Sequence, residues 1–124
     1  MKKTILIVDD EADILRVSSI RLERSGYEVF QAADGPEALE LARQAMPDLI
    51  LLDVLLPTLD GTEVTRTLKR DAALKHIPVI LFSAAVEDLA KRALESGADG
   101  YLFKPFGTGE LLGMIGKHLA APSH

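Results

Sequence analysis

The chain has 124 residues and no cysteine, and its 14 Lys and Arg against 19 Asp and Glu give a net charge of −5. That length suits one domain, the composition is ordinary for a globular protein, and the missing cysteines exclude disulfides, thiolate metal sites and thiol nucleophiles. The acidic balance argues against a nucleic-acid surface, and no apolar run reaches the roughly 18 residues of a membrane span.

The first apolar run, Thr4 to Val8, follows Lys2-Lys3 in a manner superficially like a signal peptide, but Asp9-Asp10-Glu11 ends it too soon. The expectation is a soluble, cytoplasmic protein. A first helix then carries Ile14, Leu15, Val17, Ile20 and Leu22 up to a stop at Gly26. A second strand spans Tyr27 to Ala32. Gly35-Pro36 opens a second helix whose stripe is Leu39, Ala42 and Ala45. A third strand, Asp48 to Leu52, leads to Asp53, and the Asp60-Gly61 turn precedes a third helix. The fourth strand runs from Ile77 to Phe82, and the fourth helix carries Leu89, Ala90, Ala93 and Leu94 before Gly97. The fifth strand, Asp99 to Phe103, is followed by a helix with Leu111, Met114, Ile115 and Leu119 in register. Ala120 to His124 reads as a frayed tail.

Strands this short and near-continuously apolar suit a parallel sheet buried on both faces. Their alternation with helices predicts an α/β fold with helices on both sides of the sheet. Ligands of such sheets bind beyond the carboxyl ends of the strands. There stand Asp9 and Asp10, Asp53, Ser83, and Lys104-Pro105. Crowded carboxylates repel one another, and a hard divalent cation such as magnesium compensates them. Asp53, the lone acid in the run Leu49 to Leu56, is the best nucleophile for an acyl phosphate, with Lys104 and Ser83 beside it.

Taken singly, these residues have plainer readings. Asp9, Asp10 and Glu11 suit a helix start, Ser83 a turn, Tyr101 a strand aromatic and Lys104 a solvated surface. His76, His118 and His124 are scattered, without metal-ligand spacing. The combination and its order are what carry the functional reading.

The pieces Ile7-Val8-Asp9-Asp10-Glu11, Leu51-Leu52-Asp53, Leu56-Pro57, Asp60-Gly61, Leu81-Phe82-Ser83-Ala84 and Tyr101-Leu102-Phe103-Lys104-Pro105-Phe106 resemble a response-regulator receiver domain of two-component signalling, of the chemotaxis-regulator type. The resemblance covers about Lys3 to Leu119. It implies a three-layer (βα)5 flavodoxin-like fold with strand order 2-1-3-4-5, forming a single domain over residues 1–124 with no output domain. It implies Asp53 as phosphoacceptor. Asp9, Asp10, Asp53 and the Leu55 backbone carbonyl would hold Mg2+, while Ser83 and Lys104 would meet the phosphoryl group. Ser83 and Tyr101 would be switch residues, and the Lys104-Pro105 bond would be cis. The implied donor is a sensor histidine kinase or a histidine phosphotransfer protein. A downstream protein would read the face of the fourth helix, fifth strand and fifth helix, and the chain would be a monomer or a weak homodimer. It would bind neither nucleic acid nor membrane directly.

Leu56 replaces the family's frequent Met and Ser83 its commoner Thr, and Leu55 and Ala85 are apolar at positions that tune phosphoryl lifetime. Three other functions compete. A phosphohydrolase with an aspartyl nucleophile lacks its acid, because Leu55 stands two residues after Asp53. A phosphorylation-independent module leaves the intact acid, hydroxyl and ammonium set unexplained. A flavin carrier would need a phosphate loop where Asp9-Asp10-Glu11 stands. A true enzyme is thus disfavoured: the expected chemistry is the chain's own phosphorylation and dephosphorylation.

Overall fold

A computed structural model describes residues 2–84 and 87–119, so Ala85 and the expected tail lie outside the described residues. Five strands alternate with five helices: β1 Thr4–Val8, α1 Ala12–Arg24, β2 Glu28–Ala32, α2 Gly35–Ala45, β3 Leu49–Asp53, α3 Gly61–Arg70, β4 Val79–Ser83, α4 Leu89–Ser96, β5 Gly100–Phe103 and α5 Thr108–Gly116. The sheet is parallel throughout, in the order β2-β1-β3-β4-β5. This is the flavodoxin-like order.

Alternation along each strand divides the core in two. Leu6, Val8, Ile50, Leu52, Val79 and Leu81 pack with Ala38 and Ala42 of α2, Val64 and Leu68 of α3, and Leu89 and Ala93 of α4. Ile5, Ile7, Leu49, Leu51, Ile80 and Phe82 pack with Leu15 and Leu22 of α1 and Leu111 and Ile115 of α5. Each such side chain contributes about 1.5–3 kcal/mol by leaving water, which makes the three central strands the rigid base of whatever stands at their ends.

Two expectations need correction. Burial on both faces holds for β1, β3 and β4 but not for β2 and β5, which are edge strands with exposed and half-exposed positions. The apolar stripes of α1 and α4 are also narrower than their spacing suggests. Ser18 and Ser19 face inward on α1 while Val17 and Ile20 are exposed. On α4, Leu89, Ala93 and Ser96 are buried while Leu94 is 82% exposed. Each helix covers only the strands beneath it, so a flank that overhangs them stays open.

Helix boundaries follow local chemistry. Asp34 caps α2 by accepting from the Glu37 amide at 2.8 Å, and the Glu37 carboxylate accepts from the Ala33 amide at 2.7 Å. Gly97 ends α4 in the left-handed region, at φ +87°, a conformation that favours glycine. No described helix is long and apolar enough to cross a membrane.

Candidate active site

A parallel sheet brings every strand's carboxyl end to one edge. Asp9 follows β1, Asp53 closes β3, Ser83 closes β4 and Lys104 follows β5. Main-chain bonds extend the ladder past the strand ends and hold these residues in place. The Asp9 amide donates to Ala32 O at 3.1 Å, Val54 to Phe82 O at 3.0 Å and Lys104 to Ser83 O at 2.9 Å.

Asp9, Asp53 and Ser83 are buried, and Asp10 is exposed at the rim. Carboxylate oxygens of Asp9, Asp10 and Asp53 all lie within 4.8 Å of one another. Lys104 Nζ donates to Asp53 Oδ2 at 2.8 Å, lies 2.8 Å from Asp9 Oδ2 and reaches Glu11 Oε1 at 3.8 Å. It also sits 5.0 Å from the centroid of the Phe82 ring, itself in edge contact with Phe106. Asp53 Oδ1 accepts from the Leu55 amide at 3.1 Å, and Asp9 Oδ1 from the Glu11 amide at 2.9 Å. Asp9 Oδ2 is buried with an ion-pair contact but no aligned hydrogen bond.

The electrostatics follow from that crowding. Burial pushes the Asp53 carboxyl above its ordinary value. The bonds from Lys104 and the Leu55 amide offset this only in part, and the Asp9 charge adds to it. Burial works to lower the Lys104 ammonium, but the carboxylates of Asp53 and Asp9 outweigh it and hold the ammonium above its usual range. One ammonium thus faces two buried acids and a third at the rim. An all-oxygen donor set with surplus negative charge, one ammonium against the carboxylates of Asp9, Asp10 and Asp53, fits a hard divalent cation. Asp53, fixed beside an ammonium, is also placed to attack an electrophile whose charge Lys104 can receive.

Between β3 and α3 the chain turns tightly over Asp53. Asp60 caps α3, its Oδ1 accepting from the Thr62 amide and hydroxyl at 2.7 Å each. The Gly61 amide donates to Val54 O at 2.9 Å. A Cβ on Gly61 would overlap the Asp53 carbonyl oxygen, so the turn needs glycine there.

The family model for the response regulator receiver domain matches residues 5–116. The chain belongs to that family. It is 43% identical over 129 residues to the alkaline phosphatase synthesis transcriptional regulatory protein PhoP of Bacillus subtilis, covering 99% of this chain and 53% of that protein. It is 39% identical over 120 residues to the polar-differentiation response regulator DivK of Brucella anthropi, covering 96% and 98%. Among solved structures, the receiver domain of the sensor histidine kinase PA1611 from Pseudomonas aeruginosa, with magnesium in its active-site cleft, superposes with a TM-score of 0.86 at 32% identity, covering 95% of this chain and 98% of that one. The chain spans about half the length of the transcriptional regulators it matches, 42–53%. Receivers are signalling domains that bind magnesium at an acidic pocket and act with histidine kinases and effectors.

In this receiver, Asp9, Asp10, Asp53 and Lys104 converge, and Ser83 lies beside them at the end of β4. The Leu55 amide binds Asp53 while its side chain is 55% exposed. The Lys104-Pro105 peptide is cis. Tyr101 stands apart: it is 38% exposed on β5 and packs edge-on against Phe103, ring centroids 5.7 Å apart. Glu11 suits a helix start, yet it makes no side-chain cap bond and reaches Lys104 instead. A groove of about 500 Å³ between α1 and the segment after β5, lined by Ile14, Val17, Arg21, Ala84 and Phe106, opens beside Lys104. Its signal in the sequence is the broad apolar stripe of α1, from which Ile14 and Val17 line the groove.

Proposed function

We propose that Asp53 is the phosphoacceptor of this receiver and takes its phosphoryl group from the phosphohistidine of a sensor histidine kinase or a histidine phosphotransfer protein. The observation that carries this reading is Asp53 itself, buried at a strand end and sharing the ammonium of Lys104 with Asp9. An oxygen of Asp53 bonds to phosphorus, the N–P bond of the donor breaks, and the imidazole leaves. Lys104 moves with the charge onto a phosphoryl oxygen, and the Ser83 hydroxyl donates to another. Asp9, Asp10, Asp53 and the Leu55 carbonyl would hold Mg2+, which when bound neutralises negative charge on the phosphoryl oxygens.

The groove beside Lys104 is the approach for the donor. Its apolar walls and the exposed Val17 and Ile20 suit a helical partner face. Phosphorylation adds charge, which favours the state with Lys104 and Ser83 drawn inward. Tyr101, Phe103 and Leu94, exposed on α4 and β5, are the surface through which the change reaches a target protein. Residues 1–124 act in this reading as one cytoplasmic receiver unit that catalyses only its own phosphorylation and dephosphorylation. Leu55 offers no acid for phosphohydrolase turnover.

Intact mass after incubation with acetyl phosphate tests the reading. A single phosphoryl adduct is expected with magnesium, none with chelator and none in Asp53→Asn. An adduct of equal yield in Asp53→Asn would remove the assignment.

A further inference from the structure

A second cation stands on α4, which packs on the opposite side of the sheet from α1 and α5. Arg92 of α4 pairs with Asp60 Oδ2 at 3.7 Å, the two side chains being 47% and 39% exposed. Arg92 also lines a cavity of about 50 Å³ with Ser83, Leu55, Val54, Leu89 and Glu87. The Leu55 amide donates to Asp53 Oδ1 and Ser83 closes β4, the strand paired with β3, so the arginine shares a wall with the phosphoacceptor site. A void this small holds one or two waters, so no side chain need be expelled for a guanidinium to turn across it.

We propose that Arg92 is a phosphoryl-sensing residue, held by Asp60 in the unmodified protein and turned onto the phosphoryl oxygens once Asp53 is modified. The proposal rests on the phosphoacceptor reading of Asp53. Asp60 is fixed, because its Oδ1 is committed to the Thr62 amide and hydroxyl and it caps α3. Arg92 is the partner that moves. Exposed ion pairs hold weakly, whereas a phosphoryl group presents more charge and three acceptor oxygens to a planar fork that matches them. Leu89, one turn before Arg92, and Ala93, the residue after it, are buried in the core beside the sheet. A change of partner at Arg92 therefore loads α4 directly, and α4 borders the proposed target face.

Magnesium-dependent binding of beryllofluoride, a phosphoryl mimic that coordinates a carboxylate oxygen, tests this by calorimetry on the intact chain. Arg92→Gln is expected to weaken the affinity about tenfold, and Arg92→Lys to recover part of it. Asp60→Asn keeps an N-cap acceptor but frees the arginine, and is expected to tighten binding about threefold. These opposite signs distinguish a sensor from a mere tie between α3 and α4, whose loss from either side would act in the same direction. Arg92→Gln and Asp60→Asn moving together, or Arg92→Gln staying within twofold of the parent, would overturn the proposal alone. No binding by the parent chain would instead overturn the phosphoacceptor reading on which it stands.

Discussion

Lys104 Nζ donates to Asp53 Oδ2 at 2.8 Å while lying 2.8 Å from Asp9 Oδ2, so a single ammonium is divided between two buried carboxylates. Removing it leaves both acids buried without a cation. Breaking a buried pair in this way costs about 3–5 kcal/mol, and Lys104→Met is expected at the lower end because Asp10 and Glu11 open the site to water. Magnesium should restore more stability to the variant than it adds to the parent, since its charge replaces the lost one. Thermal unfolding with and without magnesium measures both quantities, and an equal gain in the two proteins would contradict this account.

Asp53→Asn should do the reverse. An unfolded aspartate titrates near 3.9, and burial raises the folded value above that. Between the two values the folded state binds more protons than the unfolded one, so stability falls as pH rises through this window. At neutral pH without metal the penalty is fully present. Asparagine removes it, and Lys104 keeps Asp9 as its partner. The variant should unfold at a higher temperature than the parent at neutral pH without metal, with a flatter pH profile above the ordinary aspartate range. Lys104 shares the sign of this slope: its stabilising contribution is complete below the unfolded lysine's ordinary value and is lost as pH rises through the raised folded value, in strongly alkaline solution. A variant that unfolds below the parent at pH 7 without metal would show that the buried charge is compensated after all.

The contents of the site were legible in the sequence because a parallel sheet turns strand ends into neighbours. Asp9, Asp53, Ser83 and Lys104 needed only the strand boundaries to be right within a residue or two, and apolar runs locate those well. What escaped was set by side-chain reach and by the limits of the sheet. Val17 and Ile20 have core-like chemistry, yet α1 sits over an open flank beside Phe106. Glu11 has cap-like chemistry, yet Lys104 draws it away from that role. The Asp60–Arg92 pair spans two helices with no local spacing to announce it.

The opposite edge of the sheet has its own ionic anchor. Lys69 Nζ donates to Asp99 Oδ2 at 2.7 Å and to the Ile77 carbonyl at 2.9 Å, and the same Asp99 oxygen accepts from the Val79 amide at 2.8 Å. Asp99 therefore ties the start of β4 to α3. Asp99→Ala leaves the partly buried Val79 amide without its acceptor and the Lys69 ammonium with carbonyl partners but no carboxylate, and should cost about 2 kcal/mol. It stands at the far end of β4 and β5, so labelling of Asp53 by acetyl phosphate should be unchanged. Denaturant unfolding paired with intact mass separates the effects, and loss of labelling in a folded variant would show the two ends to be coupled.

Gly61 sets how closely α3 approaches Asp53. A Cβ there would overlap the Asp53 carbonyl oxygen and lie 2.9 Å from both the Asp53 carbonyl carbon and the Val54 Cα. All three obstacles are backbone, held by the Val54-to-Phe82 and Gly61-to-Val54 hydrogen bonds, so no side-chain rotation relieves them. Overpacking that forces the backbone to move costs about 1–3 kcal/mol, occasionally more, and Gly61→Ala should lie at the upper end. Any relief must push α3 outward or shift Asp53 away from Lys104. A folded Gly61→Ala protein should therefore label more slowly with acetyl phosphate than the parent at saturating magnesium. Full labelling at the parental rate, with stability within 1 kcal/mol of the parent by denaturant unfolding, would show that the turn over Asp53 has slack.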